Sequence, residues 1–89
     1  LKLYVEDAPL QLTKIRQAIE QENFEEVHLC AHSLKGASAN VGAEAMREAC
    51  MRIESMAKSG SAAELAECLV TAEERFTLLR SHLENLGFI

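Results

Sequence analysis

Residues 62–86, AAELAECLVTAEERFTLLRSHLENL, are the stretch that decides the fold. Apolar residues recur along it in alternating steps of four and three, at Leu65, Leu69, Ala72, Phe76, Leu79, Leu83 and Leu86. This seven-residue repeat gathers the apolar side chains into one stripe of a helix and suits packing at a shallow angle. Ser61, with Glu64 three residues later, has the capping-box pattern. The stretch therefore predicts a long amphipathic helix that packs along other helices.

The rest of the chain has the same helical periodicity. Apolar stripes separated by short polar segments predict three further bundle helices, over 8–20, 24–41 and 43–58. Asp7 before Ala8 and Pro9 is typical of an N-cap followed by a first-turn proline, so residues 1–6 are predicted to end a separate N-terminal helix. We expect an all-α fold: an antiparallel up-down four-helix bundle with a short N-terminal helical segment, in which residues 1–89 form one domain.

Two residues predict where the second bundle helix begins and ends. Asn23 can cap the first turn with its side chain, and Glu26 follows three residues later as in a capping box. Gly42 is predicted to stop the helix, because glycine enters the left-handed conformation without steric cost.

The composition excludes several classes of function. The net charge is −5 and the lysines and arginines are scattered, so nucleic acid is not an expected partner. No apolar run approaches the roughly 18 residues that span a membrane, so no direct membrane contact is expected. A P-loop, a glycine-rich nucleotide loop and an acidic triad for magnesium are all missing, so we expect no autonomous kinase activity. The three cysteines are predicted to be buried thiols in a reducing cytoplasm, at Cys30, Cys50 and Cys68.

The polar face of the second helix has an unusual combination of residues. His32 falls opposite the apolar stripe, and its neighbours on that face are His28, Lys35, Gly36 and Ala39. A glycine inside a helix costs about 1 kcal/mol relative to alanine, and close approach of another protein's backbone would offset that cost. An exposed, neutral imidazole with a cation nearby also meets the requirements for accepting a phosphoryl group.

The run from His32 to Gly42, HSLKGASANVG, resembles the phosphorylation motif of the histidine-containing phosphotransfer (HPt) domain. The resemblance extends over essentially the whole chain. It implies that His32 is phosphorylated, that Lys35 attracts the phosphoryl group, and that Gly36 gives an incoming protein its clearance. It also implies that Glu54, on the third bundle helix, accepts a hydrogen bond from the imidazole. The helical wheel independently places Glu54 on the flank of its apolar stripe, along the seam between helices.

The resemblance also implies a function and partners. His32 would accept a phosphoryl group from an aspartate of one response-regulator receiver domain and pass it to another receiver. Magnesium is expected on the partner receiver, and no cofactor is expected on this chain. His28, Leu29, Gly36 and Ala39 are predicted to border the docking surface. The start without Met favours a domain excised from a hybrid sensor histidine kinase, and hence a cytoplasmic part of a membrane-bound kinase.

Two alternatives remain at this stage. His28 and His32, one turn apart, could share a zinc ion, although a tetrahedral site needs further ligands that no matching motif supplies. The chain could also be a scaffolding bundle in which His32 has lost its chemistry. The presence of Lys35 and Gly36 argues against the scaffold.

Overall fold

The computed structural model describes all 89 residues as four helices joined by short loops. The helices are α1 (Lys2–Glu20), α2 (Phe24–Asn40), α3 (Glu44–Ser59) and α4 (Ala62–Asn85), and there are no strands. Each helix packs along two others: α1 along α2 and α4, and α3 along α2 and α4. The longest dimension of the molecule is 39 Å, close to the roughly 36 Å expected for a straight helix of the length of α4. Consecutive helices therefore reverse direction, which confirms the all-α antiparallel bundle.

The N-terminal segment differs from the prediction. Residues 2–6 are helical, but they continue directly into α1, which passes through Pro9 without a break. Asp7 is therefore not an N-cap. The physical reason is burial: Tyr4 and Ala8 lie on the same stripe as Leu12 and are buried with it. Packing of these first turns outweighs the backbone hydrogen bond that Pro9 cannot donate.

Tyr4 attaches the start of α1 to the rest of the bundle. Its hydroxyl shares a 2.8 Å hydrogen bond with Oγ of Ser38 on α2, and its ring lies 6.4 Å from the Phe76 ring on α4. Ser38 is completely buried and is the only buried polar residue. The Tyr4 hydroxyl therefore provides the partner that a buried serine needs.

The helix starts follow the predicted capping residues. The Asn23 side chain accepts a hydrogen bond from the Glu26 backbone N–H at 3.2 Å, which confirms the cap of α2. Glu26 does not complete a capping box: the Asn23 backbone N–H donates to the Ala18 carbonyl instead, and the Glu26 carboxylate accepts from the Cys30 thiol. At the start of α4 the full capping box is present, with reciprocal bonds between Ser61 and Glu64.

Helix α2 ends as predicted. Gly42 has φ +74°, and the N–H groups of Gly42 and Ala43 donate to the carbonyls of Ala39 and Ser38. This pair of bonds is a Schellman motif, which satisfies two carbonyls at the helix end. The turn brings α3 back along α2, and that antiparallel pair carries the site described below.

One continuous apolar core lies between the four helices. Its nine largest completely or nearly completely buried side chains come from all four helices: Ile15, Val27, Leu34, Ser38, Met46, Cys50, Ile53, Leu65 and Leu69. The predicted stripe of α4 is largely confirmed, but Leu86 at its end is exposed, and Cys68, predicted to be buried, is only half-buried. None of the helices is both long enough and apolar enough to cross a membrane.

Candidate functional site

His32 stands on the face of α2 that points away from the core. The buried positions of α2 are Val27, Cys30, Ala31, Leu34 and Ser38. His32 lies opposite this stripe, and its side chain is 65% exposed. The ring is therefore accessible to another protein, as the sequence predicted.

Glu54 reaches His32 from the neighbouring helix. On α3 it follows the completely buried Ile53, so its side chain lies along the seam between α2 and α3 and is only 13% exposed. His32 Nδ1 lies 2.5 Å from Glu54 Oε2. An ionised carboxylate only accepts hydrogen bonds, so Nδ1 carries a proton, and in the neutral ring the second nitrogen, Nε2, then has a free lone pair.

Lys35 binds the other oxygen of the same carboxylate. Its Nζ donates to Glu54 Oε1 at 2.6 Å, and its side chain is 28% exposed. This hydrogen bond, and next the one from His32, lowers the pKa of Glu54 against the opposing effect of desolvation. Glu54 is therefore ionised at neutral pH, and its charge is shared between a lysine and the His32 ring.

His28 also contacts Glu54. Its Nδ1 lies 3.4 Å from the Glu54 backbone carbonyl oxygen, and its Nε2 lies 3.9 Å from Glu54 Oε2. The His28 and His32 rings are nearly parallel, with an interplanar angle of 19° and centroids 6.3 Å apart. His28 therefore lies against both of the groups that form the central hydrogen bond.

The other three predicted site residues lie around His32 on the exposed surface of α2. Leu29 is 54% exposed, and Gly36 and Ala39 are exposed as well. A Cβ placed on Gly36 would meet no atom within 4 Å. The clearing beside His32 is therefore open to solvent, and packing inside the bundle does not require a glycine there.

The structure places His32, Lys35 and Glu54 together, as expected, but two contacts were not predicted. Lys35 was expected near His32 as a cation that attracts the phosphoryl group, and its bond to Glu54 was not predicted. The contacts of His28 with Glu54 were not predicted either. Both had a signal in the sequence, because residues three and four positions from His32 share its face of α2, and Glu54 was expected at that face.

The arrangement does not favour the zinc alternative. The structure contains no group of three or more His, Cys, Asp or Glu side chains that could hold a metal ion. Glu54, on α3, is the carboxylate that lies against both histidines, and its two oxygens already bind Lys35 and His32. What remains is an exposed imidazole whose Nδ1 is bonded to a carboxylate, so that in the neutral ring Nε2 has the free lone pair that a nucleophile needs.

Comparison with known proteins gives a consistent result. The family model described as "Hpt domain" matches residues 1–87. The chain is 26% identical to histidine-containing phosphotransfer protein 1 of Arabidopsis thaliana over 86 residues, covering 94% of this chain and 56% of that protein. It is 29% identical to histidine-containing phosphotransfer protein 2 of Oryza sativa subsp. japonica over 86 residues, covering 94% of this chain and 58% of that protein. The chain thus spans little more than half the length of these curated relatives. No solved structure matches it significantly.

Proposed function

This chain belongs to the Hpt domain family, and from that membership we propose that it is a histidine phosphotransfer module of a two-component phosphorelay. The His32 imidazole accepts a phosphoryl group from the phosphoaspartate of one receiver domain and passes it to an aspartate of another. The observation that carries the proposal is the 2.5 Å hydrogen bond between Nδ1 of the exposed His32 ring and Glu54 Oε2. In the neutral ring this bond leaves the lone pair of Nε2 free to attack.

The transfer step uses the two ring nitrogens differently. The lone pair of His32 Nε2 attacks phosphorus in line with the aspartyl oxygen; the N–P bond forms, the O–P bond breaks, and the aspartate leaves as a carboxylate. Because Nδ1 keeps its proton, the ring becomes positively charged. Glu54, ionised and hydrogen-bonded to Nδ1, stabilises that charge as it develops. The return step reverses the same bonds, so one arrangement serves both directions.

Lys35 and Gly36, one turn further along α2 than His32, support the step in different ways. Lys35 uses one N–H for Glu54 Oε1 and has two further donors for the oxygens of the phosphoryl group. Gly36 leaves the space beside His32 open for the backbone of the receiver. Leu29 and Ala39 supply exposed apolar contact area next to that space.

The partner completes the site. The receiver domain supplies an acidic pocket and magnesium, so this chain needs no cofactor of its own and acts as a carrier rather than as a kinase. A hybrid histidine kinase, in the same polypeptide or a separate one, is the proposed origin of the phosphoryl group. We also propose a cytoplasmic location. The buried thiols of Cys30 and Cys50 fit a reducing compartment, and burial raises the pKa of Cys50 to about 12.

The direct test replaces the acceptor. His32→Gln is expected to abolish acquisition of label from a phosphorylated receiver without loss of helical structure, because His32 faces solvent and takes no part in the core. The labelled wild-type chain should keep its phosphate in base and lose it in acid, as a phosphoramidate does. His82 is also an exposed histidine, on α4, and His82→Gln is the matched control that should be labelled normally. A His32→Gln chain that still accepted label would show that another residue is the acceptor.

A further inference from the structure

His28 contacts both Glu54 and the His32 ring, and a residue that only borders a docking surface would not need these contacts. We propose that His28 is a positioning residue, which holds Glu54 and the His32 ring in the arrangement that keeps His32 Nε2 unprotonated. The inference rests on the proposed function, since it assigns a role within the same transfer step. Its structural part can nevertheless be measured without any transfer.

The first support is the pattern of atoms between His28 and Glu54. The carbonyl oxygen of Glu54, 3.4 Å from His28 Nδ1, can only accept, so His28 Nδ1 carries a proton. In the neutral ring Nε2 then has a lone pair, and its 3.9 Å separation from Glu54 Oε2 is too long for a hydrogen bond. His28 is therefore anchored to the backbone of Glu54 while it leaves the carboxylate oxygen Oε2 to His32.

The second support is the orientation of the two imidazoles. His32 is 65% exposed, so the core of the bundle does not restrict its ring. The nearly parallel His28 ring, 33% exposed and tied to α3, stands beside it. Stacked aromatic pairs at such a separation are favourable, so the His28 ring favours the orientation in which the His32 ring faces Glu54.

Loss of the His28–Glu54 hydrogen bond or of the stacked His28 ring should change which nitrogen of His32 carries the proton. When the ring turns away from Glu54, Nδ1–H loses its acceptor and the tautomer protonated at Nε2 becomes populated. That tautomer has no lone pair on the nitrogen that meets the receiver, so it cannot attack phosphorus. The rate at saturating receiver then falls in proportion to the fraction of the reactive tautomer.

The experiment compares His28→Ala, which removes the hydrogen bond and the ring, with His28→Asn, whose amide places a donor near the position of Nδ1. His82→Ala, at the exposed histidine of α4, is the matched control. The probe is a receiver domain phosphorylated with acetyl phosphate, selected as the one that transfers fastest to the wild-type chain. Single-turnover transfer is measured across receiver concentrations, and ¹⁵N NMR of the His32 ring reads its tautomer in the free chain.

We expect His28→Ala to lower the saturated transfer rate by about three- to ten-fold and to give His32 a mixture of tautomers. His28→Asn should recover part of both losses, and His82→Ala should match the wild type. If His28→Ala only raised the receiver concentration needed for half-maximal rate, with the saturated rate and the tautomer unchanged, His28 would be a docking residue and the proposal would be overturned. Failure of every receiver to phosphorylate the wild-type chain would instead refute the proposed function, while the NMR result would still test the positioning of the ring.

Discussion

Glu54 is the residue on which the site depends most. Its two carboxylate oxygens bind side chains from α2, Lys35 at Oε1 and His32 at Oε2, and it is itself only 13% exposed. The residue therefore combines two physical roles. It orients the imidazole through a hydrogen bond, and in the proposed transfer step it compensates the positive charge that the ring acquires.

Substitutions of Glu54 separate these two roles. Glu54→Gln keeps a hydrogen-bond acceptor but removes the charge, and Glu54→Ala removes both. We expect Glu54→Ala to transfer about ten-fold more slowly, equivalent to about 1.4 kcal/mol in the transition state, and Glu54→Gln to lie between it and the wild type. Transfer from a phosphorylated receiver is the measurement, and the same two substitutions at the exposed Glu48 of α3 are the control. Equal rates for Gln and Ala would mean that charge alone matters.

Gly36 should affect both the stability of α2 and the access of a receiver domain to His32. Gly36→Ala and Gly36→Gln should each raise the free energy of unfolding by up to about 1 kcal/mol, because both residues favour a helix more than glycine does and nothing obstructs their Cβ. Transfer should be reduced slightly by the methyl group and strongly by the longer amide. Urea unfolding and transfer kinetics of the two variants test this pair of effects. A Gly36→Gln variant with higher stability and an unchanged transfer rate would contradict the clearance role.

Among the elements, α1 shows where periodicity and local sequence signals compete. Its buried residues continue in register from Tyr4 across Pro9 to Ile19, so the apolar pattern predicts one helix. The Asp7–Pro9 signal predicts a new start. Tyr4 is buried through contacts with Ser38 and Phe76, which lie far away in the sequence. Because the local sequence does not reveal these contacts, the prediction followed the Asp7–Pro9 signal.

The cost of Pro9 can be measured directly. Pro9 is half-buried within α1 and leaves the Val5 carbonyl without its helical donor. Pro9→Ala is expected to raise the free energy of unfolding by about 1–3 kcal/mol. Thr13→Ala, at an exposed position of the same helix, should change it by less than about 0.7 kcal/mol. Chemical denaturation of both variants decides the matter, and destabilisation by Pro9→Ala would mean that the proline is needed for the path of α1.

The site was more predictable than the start of α1, for a physical reason. His32, Lys35 and Gly36 lie within one turn or so of the same helix, so the helical period alone places them on one face. The position of Glu54 followed from its place on the flank of a well-marked apolar stripe. The bond between Lys35 and Glu54 and the contacts of His28 depend on side-chain conformations across the α2–α3 seam. The spacing of residues along the sequence does not determine those conformations.

For the molecule as a whole, the seam should make stability depend on acid. The pKa of Glu54 in the folded chain is lowered, chiefly by Lys35, whereas an unfolded glutamate has a pKa of about 4.3. The stabilisation from this group is therefore fully present above about pH 4.3 and is lost as the pH falls through the lower folded value. We expect the stability advantage of the wild type over Glu54→Gln, measured by urea unfolding, to be larger at pH 7 than at pH 3. An advantage that was independent of pH would mean that the carboxylate is not stabilised by its partners.

The pairing of each helix with its neighbours in sequence has a consequence for how the molecule assembles. Glu54 is only 22 residues from His32 along the chain, and α2 and α3 are joined by the tight turn at Gly42. Closing so short a loop costs little chain entropy, and proteins dominated by such local contacts fold rapidly. The α2–α3 hairpin can therefore form before α1 meets α4, the one helix pair that is distant in sequence. In a newly made chain the proposed site on α2 and α3 would therefore assemble early in folding, before α1 and α4 close the bundle.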